Sequence, residues 1–180
     1  MNTENMDSDH KIITANLAEK GWYPEDSQQL TKLLEELFQN SNPKGLKKAY
    51  PPPKALIIPH AGYRYSGKIV AKAISRLNAQ NYSKVIIMGP SHYYPLKNLI
   101  SIPQADAYST PFGNYPIDRS DYDRLLDSKF FCSIPEIHNQ EHSIQIELPL
   151  LQYIQFKIPI IPMVVGRLQD SDCTEISAII

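Results

Sequence analysis

The sequence predicts an α/β layered domain: a central, mostly parallel or mixed sheet flanked by helices. Three observations carry this. Two short apolar runs, Ala55-Leu56-Ile57-Ile58 and Val85-Ile86-Ile87-Met88, each stop at a breaker, Pro59 or Gly89-Pro90, and read as strands. Each run leads at once into a loop that carries a histidine, His60 or His92. Between them Ile69, Val70, Ala73, Ile74 and Leu77 recur at helical spacing, with Ser66 placed to cap the helix start. Strand, helix, strand of this length is a right-handed crossover with parallel strands. Parallel strands end on one edge of a sheet, and open α/β sheets place ligands at that carboxyl edge. His60 and His92 are therefore expected side by side, with ring nitrogens ~3–5 Å apart if both hold one ion. A histidine after a strand also serves as a plain loop residue. Two in matching positions favour a metal or proton-transfer site.

Composition bounds the partners. Hydrophobic residues make up 42% of the 180 and charged residues 21%, which suits one globular domain with a sizeable core. A net charge of −1 gives no reason to expect nucleic acid or an anionic membrane surface. The two cysteines, Cys132 and Cys173, are far apart and form no C-x-x-C motif. They read as ordinary buried or half-buried thiols in a reducing cytoplasm. No run approaches the roughly twenty apolar residues of a membrane span, and the polar start has no signal-peptide core.

Along the chain, residues 1–19 read as a flexible leader and residues 20–180 as the α/β domain. Gly21-Trp22-Tyr23-Pro24 is a turn into a helix capped by Asp26 or Ser27, with Leu30, Leu33, Leu34, Leu37 and Phe38 as its apolar stripe. Trp22 either lines a site or anchors that helix; spacing alone does not separate the two. Residues 40–54 form a linker stiffened by Pro51-Pro52-Pro53. Residues 99–102 read as a strand and 108–113 as an ordered loop. Asp118 or Ser120 caps a helix through Tyr122, Leu125 and Leu126. Residues 130–134 are too short to assign. A helix starting near Ser143 carries Ile144, Leu148 and Leu151, and Pro149 within it predicts a kink. His142 lies just before that helix, and His138 in polar surroundings is expected at the surface. Residues 158–165 read as another strand. The last helix, capped by Asp170 or Ser171, ends on apolar Ile176, Ile179 and Ile180. It reads as the end of a domain cut short, with its apolar face and one sheet edge lacking partners in the chain.

Several of these stretches occur together in one order: Gly21-Trp22-Tyr23-Pro24; Pro59-His60-Ala61-Gly62-Tyr63-x-Tyr65-Ser66-Gly67; Gly89-Pro90-Ser91-His92; Thr110-Pro111-Phe112-Gly113; Glu141-His142-Ser143-Ile144 through Leu148-Pro149; and Ile160-Ile161-Pro162-x-x-Val165-Gly166. Each is weak alone; in series they are specific. The chain resembles the Memo family, known in bacteria as the B component of the AmmeMemoRadiSam system, over residues 20–170. The resemblance implies a fold like that of the LigB-type class III extradiol dioxygenases, whose parent enzymes hold non-haem iron. It implies His60 and His92 as metal-site histidines. The family's further histidine and cysteine would fall beyond Ile180, and Cys173 does not match the latter, so the implied pocket is incomplete within these residues.

Three functions follow as expectations. One is a metalloprotein with an oxidoreductase-like, dioxygenase-related role. Its iron or copper is held by His60 and His92, Glu141 and His142 act as catalytic or supporting groups, and Trp22, Tyr63, Tyr65, Ser91 and Tyr93 orient a small molecule or peptide. The second is a dioxygenase-like scaffold that binds a peptide or protein partner without catalysis. The third is an inactive fragment. The residues name neither the substrate nor the metal.

Overall fold

The computed structural model describes residues 11–39 and 51–180. In chain order the elements are β1 (Ile12–Ile13), α1 (Ser27–Gln39), α2 (Tyr63–Ile74), β2 (Val85–Pro90), β3 (Ile100–Ser101), β4 (Ala107–Tyr108) and β5 (Tyr115–Pro116). Then come α3 (Tyr122–Leu126), β6 (Phe131–Cys132), α4 (Pro135–Gln140), α5 (Leu148–Tyr153), β7 (Ile160–Val165) and α6 (Asp170–Ile179). One sheet has the order β2-β7-β3-β6 and the other β1-β4-β5. The larger sheet is mixed. β2 runs parallel to β7 over six residue pairs, β3 antiparallel to β7, and β6 parallel to β3.

Alternation along β7 makes this a layered α/β domain. Ile160 and Val164 face a cluster with Leu30, Leu34 and Leu37 of α1, Val70 and Ile74 of α2, and Leu148 and Leu151 of α5. Ile161 and Met163 face the opposite cluster, with Leu125 of α3, Phe131 of β6 and Ile176 of α6. A strand buried on both faces reads as a continuous apolar run, as residues 158–165 do. Pro162 is tolerated in this central strand because it falls in a gap. The flanking pairing passes from a bridge at Ile160 to β3 at Val164 and Val165.

Several sequence expectations meet their outcome here. Asp26 caps α1, its Oδ1 accepting from Gln29 N at 2.8 Å. α2 starts three residues before Ser66, whose hydroxyl instead donates to Ala61 O at 2.7 Å. Pro149 makes no kink. A 3-10 turn at Gln145–Glu147 precedes α5, and the proline sits in the first helical turn, where its missing N–H costs nothing. Part of the proposed leader is structured: Ile12 and Ile13 pair with Ala107 and Tyr108, and Ala15 and Leu17 are buried. Residues 1–10 lie outside the described residues, as does most of the linker. α6 does have a partner, since Ile176 is buried in the second cluster. Cys132 is half-buried, as expected, but Cys173 is exposed.

The largest correction concerns residues 55–58. They lead into His60 without regular secondary structure and join no sheet, and β2 takes β7 as its parallel neighbour instead. An apolar run specifies an extended, half-buried segment; it does not specify which strand lies beside it. Among the described residues, no helix is long and apolar enough to cross a membrane.

Candidate metal centre

Three loops converge at the carboxyl end of β2. The first carries His60 and is tied down on both sides: Tyr63 N donates to Trp22 O at 3.0 Å, and Ser66 to Ala61 O. The second leaves β2 at Pro90. Ser91 N donates to Val165 O at 2.8 Å, and its hydroxyl to Tyr94 O at 2.6 Å, which turns His92 inward. The third follows α4 and carries Glu141, His142 and Ser143. Its close approach depends on Gly89, because a Cβ there would overlap the Ser143 side chain. Ser143 donates to Pro90 O at 3.1 Å across that contact.

The result is a group of three imidazoles. One ring nitrogen each from His60, His92 and His142 lies within 4.8 Å of the others. His60 Nε2 and His92 Nε2 are 3.4 Å apart, inside the spacing the sequence predicts. Two nitrogens each ~2.0–2.1 Å from one tetrahedral ion stand ~3.3–3.4 Å apart, so this separation suits a shared ion. The His92 and His142 rings stack with centroids 4.4 Å apart.

Glu141 organises the cluster without joining it. Its side chain is 3% exposed and accepts four hydrogen bonds: Oε2 from His92 N at 2.7 Å, and Oε1 from His92 Nδ1 at 2.9 Å, His142 N at 2.8 Å and Ser143 N at 3.0 Å. Burial works against its ionisation, but these N–H donors outweigh burial and hold the carboxyl below its usual range. A carboxylate can only accept, so His92 Nδ1 carries the proton. The Nε2 lone pair then points at His60. His142 Nδ1 lies 3.2 Å from Oε1 but makes no hydrogen bond with it, leaving a buried ring nitrogen without a partner. Burial lowers the pKa of both His60 and His142, and neighbouring histidines lower both further while Glu141 opposes. Both rings therefore stay neutral, the form in which imidazole binds metal.

The other sequence-named residues divide. Trp22 packs on His142 with centroids 4.3 Å apart, and Tyr93, 56% exposed, stands edge-on to the same ring at 5.8 Å. Both border the cluster. Tyr63 is buried and donates its hydroxyl to Ile146 O at 2.8 Å, so it braces the third loop from below. Ser91 is used by its own turn. Tyr65 projects into solvent from α2, with no described contact to the histidines.

His138, expected at the surface, is fully buried. It lies between Ser101 Oγ at 3.1 Å and Tyr108 hydroxyl at 3.0 Å, and so links β3 of one sheet to β4 of the other. Its polar neighbours Glu136, Asn139 and Gln140 conceal that α4 turns His138 inward together with Ile137. His142 joins the candidate ligand group only in three dimensions, because one histidine before a helix carries no ligand spacing of its own.

The chain matches the family described as Memo-like protein over residues 16–180. It is 33% identical over 167 residues to a MEMO1 family protein of Methanobrevibacter smithii, covering 88% of this chain and 59% of that protein. Against a MEMO1 family protein of Aquifex aeolicus, identity is 36% over 145 residues, covering 80% and 51%. Against Protein MEMO1 of Homo sapiens it is 32% over 168 residues, covering 90% and 54%. The chain thus spans little more than half the length of these curated relatives.

Proposed function

Because the chain belongs to the Memo family, we propose that it is a metalloprotein whose His60, His92 and His142 hold one iron or copper ion in a redox centre related to that of non-haem extradiol dioxygenases. The observation that carries this reading is the convergence of one ring nitrogen from each of three histidines, beside a buried carboxylate that fixes the tautomer of one of them. A set of imidazoles suits iron, copper or zinc, and three protein ligands leave a position open for a small molecule. Bound there, iron or copper would supply Lewis-acid and one-electron chemistry. The protein's own part is to present three lone pairs, keep His92 in one tautomer through Glu141, and border the open side with Trp22 and Tyr93. We place this activity in the cytoplasm, where the unpaired Cys132 and Cys173 suit a reducing environment.

The test is titration of the apo-protein with ferrous iron and with cuprous copper, followed by metal analysis. The wild type should bind close to one ion per chain. His60→Ala, His92→Ala and His142→Ala should each lose most of it, while Tyr65→Ala should not. Wild-type metal content in all three histidine variants would refute the assignment.

A further inference from the structure

The smaller sheet contributes no residue to the histidine cluster, yet it grips the segment that carries Glu141 and His142. Three consecutive residues at the end of β4 each hold one side chain of residues 138–152. The Tyr108 hydroxyl is hydrogen-bonded to His138 Nδ1 at 3.0 Å, Ser109 O accepts from Gln145 Nε2 at 2.7 Å, and Thr110 Oγ1 donates to Gln152 Oε1 at 2.6 Å. The three gripped residues are spaced seven apart in the sequence. His138 precedes the loop of Glu141, His142 and Ser143, and Gln145 follows it, so two of these contacts bracket the loop. Local structure cannot hold it. α4 has six residues and the 3-10 turn has three, far short of the roughly 12–15 at which an isolated helix is even marginal. The platform beneath is itself tied down: Tyr108 pairs with Ile13, and Ser109 N donates to Ile13 O at 2.8 Å.

Both bracketing side chains are polar where apolar packing would serve stability as well. His138 is fully buried, and its other ring nitrogen meets Ser101 Oγ, which also accepts from Ile134 N at the start of α4. Gln145 is buried and leaves its Oε1 without a partner, a cost that an apolar side chain would avoid. A buried hydrogen bond selects one arrangement where apolar contact tolerates several. Glu141 needs one arrangement: its four accepted bonds fall between 2.7 and 3.0 Å, and one of them sets the His92 proton. We propose that His138 and Gln145 are positioning residues, which clamp this loop to β4 and so hold Glu141 where it keeps His92 in its Nδ1–H form. Neither belongs to the candidate ligand group. The inference deepens the metal reading, but it concerns the metal-free protein and stands or falls apart from metal binding.

Nitrogen NMR of the histidine rings tests it on the 180-residue chain without metal, at about pH 8, above the usual histidine range. In the wild type His92 should show the Nδ1–H tautomer. Tyr108→Phe removes one hydroxyl and keeps the ring, and Gln145→Met keeps the length and loses the amide. Each should give His92 a substantial share of the Nε2–H tautomer, with the fold retained by circular dichroism, and should weaken ferrous iron binding about tenfold. Added to Glu141→Gln, either change should weaken it by less than about twofold more, because it acts through that carboxylate. Leu34→Ala, which loosens the core away from the loop, should lower the melting temperature and leave the tautomer alone. If Tyr108→Phe and Gln145→Met behave like Leu34→Ala, losing stability with His92 unchanged, the proposal is overturned. A wild type whose His92 already mixes tautomers overturns it too, as does full additivity with Glu141→Gln. A tautomer shift in a chain that binds no iron supports the clamp and refutes the metal reading instead.

Discussion

Glu141 decides the behaviour of the cluster through where its charge is spent. Glu141→Gln keeps the shape but replaces one accepting oxygen with an NH2 that faces an N–H donor. We expect metal affinity to fall about 10–100-fold, because His92 loses the group that fixes its tautomer. Folding stability should fall by about 1–3 kcal/mol for the unsatisfied donor. Isothermal titration and denaturant melts read the two effects separately. Two other buried groups set the pH dependence of stability. Burial pushes the Glu147 carboxyl up from 4.5 to about 8, so the folded chain keeps a proton that the unfolded chain has released. Stability must therefore fall as pH rises between these values. Burial lowers His138 from 6.5 to about 4, so stability also falls as pH drops through that range. From about pH 4.5 to 6.5 the Glu147 slope is opposed by that of His138 and by those of His60 and His142, which burial also lowers, and Glu147 acts alone between about 6.5 and 8. Its share there is about 2 kcal/mol, a few degrees of melting temperature. Glu147→Gln should flatten the melting curve over pH 6.5–8; an unchanged slope would count against this account.

At the scale of elements, the site depends on close approach as much as on ligands. Gly89→Ala adds a methyl where Ser143 already sits, so the loop bearing Glu141 and His142 must retreat from β2. We expect it to reduce metal binding as severely as loss of a ligand while the protein stays folded by circular dichroism. Leu34→Ala is the contrasting case. Leu34 is fully buried in α1 away from the histidines, so the change should cost about 2–5 kcal/mol and leave metal affinity intact. What the sequence discloses follows from this division. The helices 27–39 and 63–74 are legible because their leucines, isoleucines and valines repeat at the helical period. β7 is legible because burial on both faces makes its run continuous. The pairing of residues 55–58 is not legible, because a strand's partner is chosen by tertiary packing. His60 and His92 could be placed together from their matching positions after apolar runs. The inward turn of His138, the third nitrogen from His142 and the brace made by Tyr63 depend on loop and helix rotations that leave no periodic signal.

For the molecule as a whole, we propose that the three loops meeting at the carboxyl end of β2 assemble a single metal-binding centre. A metal that binds only the folded state should stabilise it by an amount that grows with the logarithm of free metal above Kd, about 2.7 kcal/mol at a hundredfold excess, and so raise the melting temperature. The stabilisation should disappear with a chelator and be absent in His92→Ala. The most direct measurement is a crystal structure of the chain soaked with ferrous iron, with data collected on both sides of the iron absorption edge. The account predicts one anomalous peak, ~2.0–2.2 Å from one ring nitrogen each of His60, His92 and His142, with Glu141 still bonded to His92 and outside the coordination shell. A peak elsewhere, or an ion that leaves any one of the three rings unliganded, would contradict it.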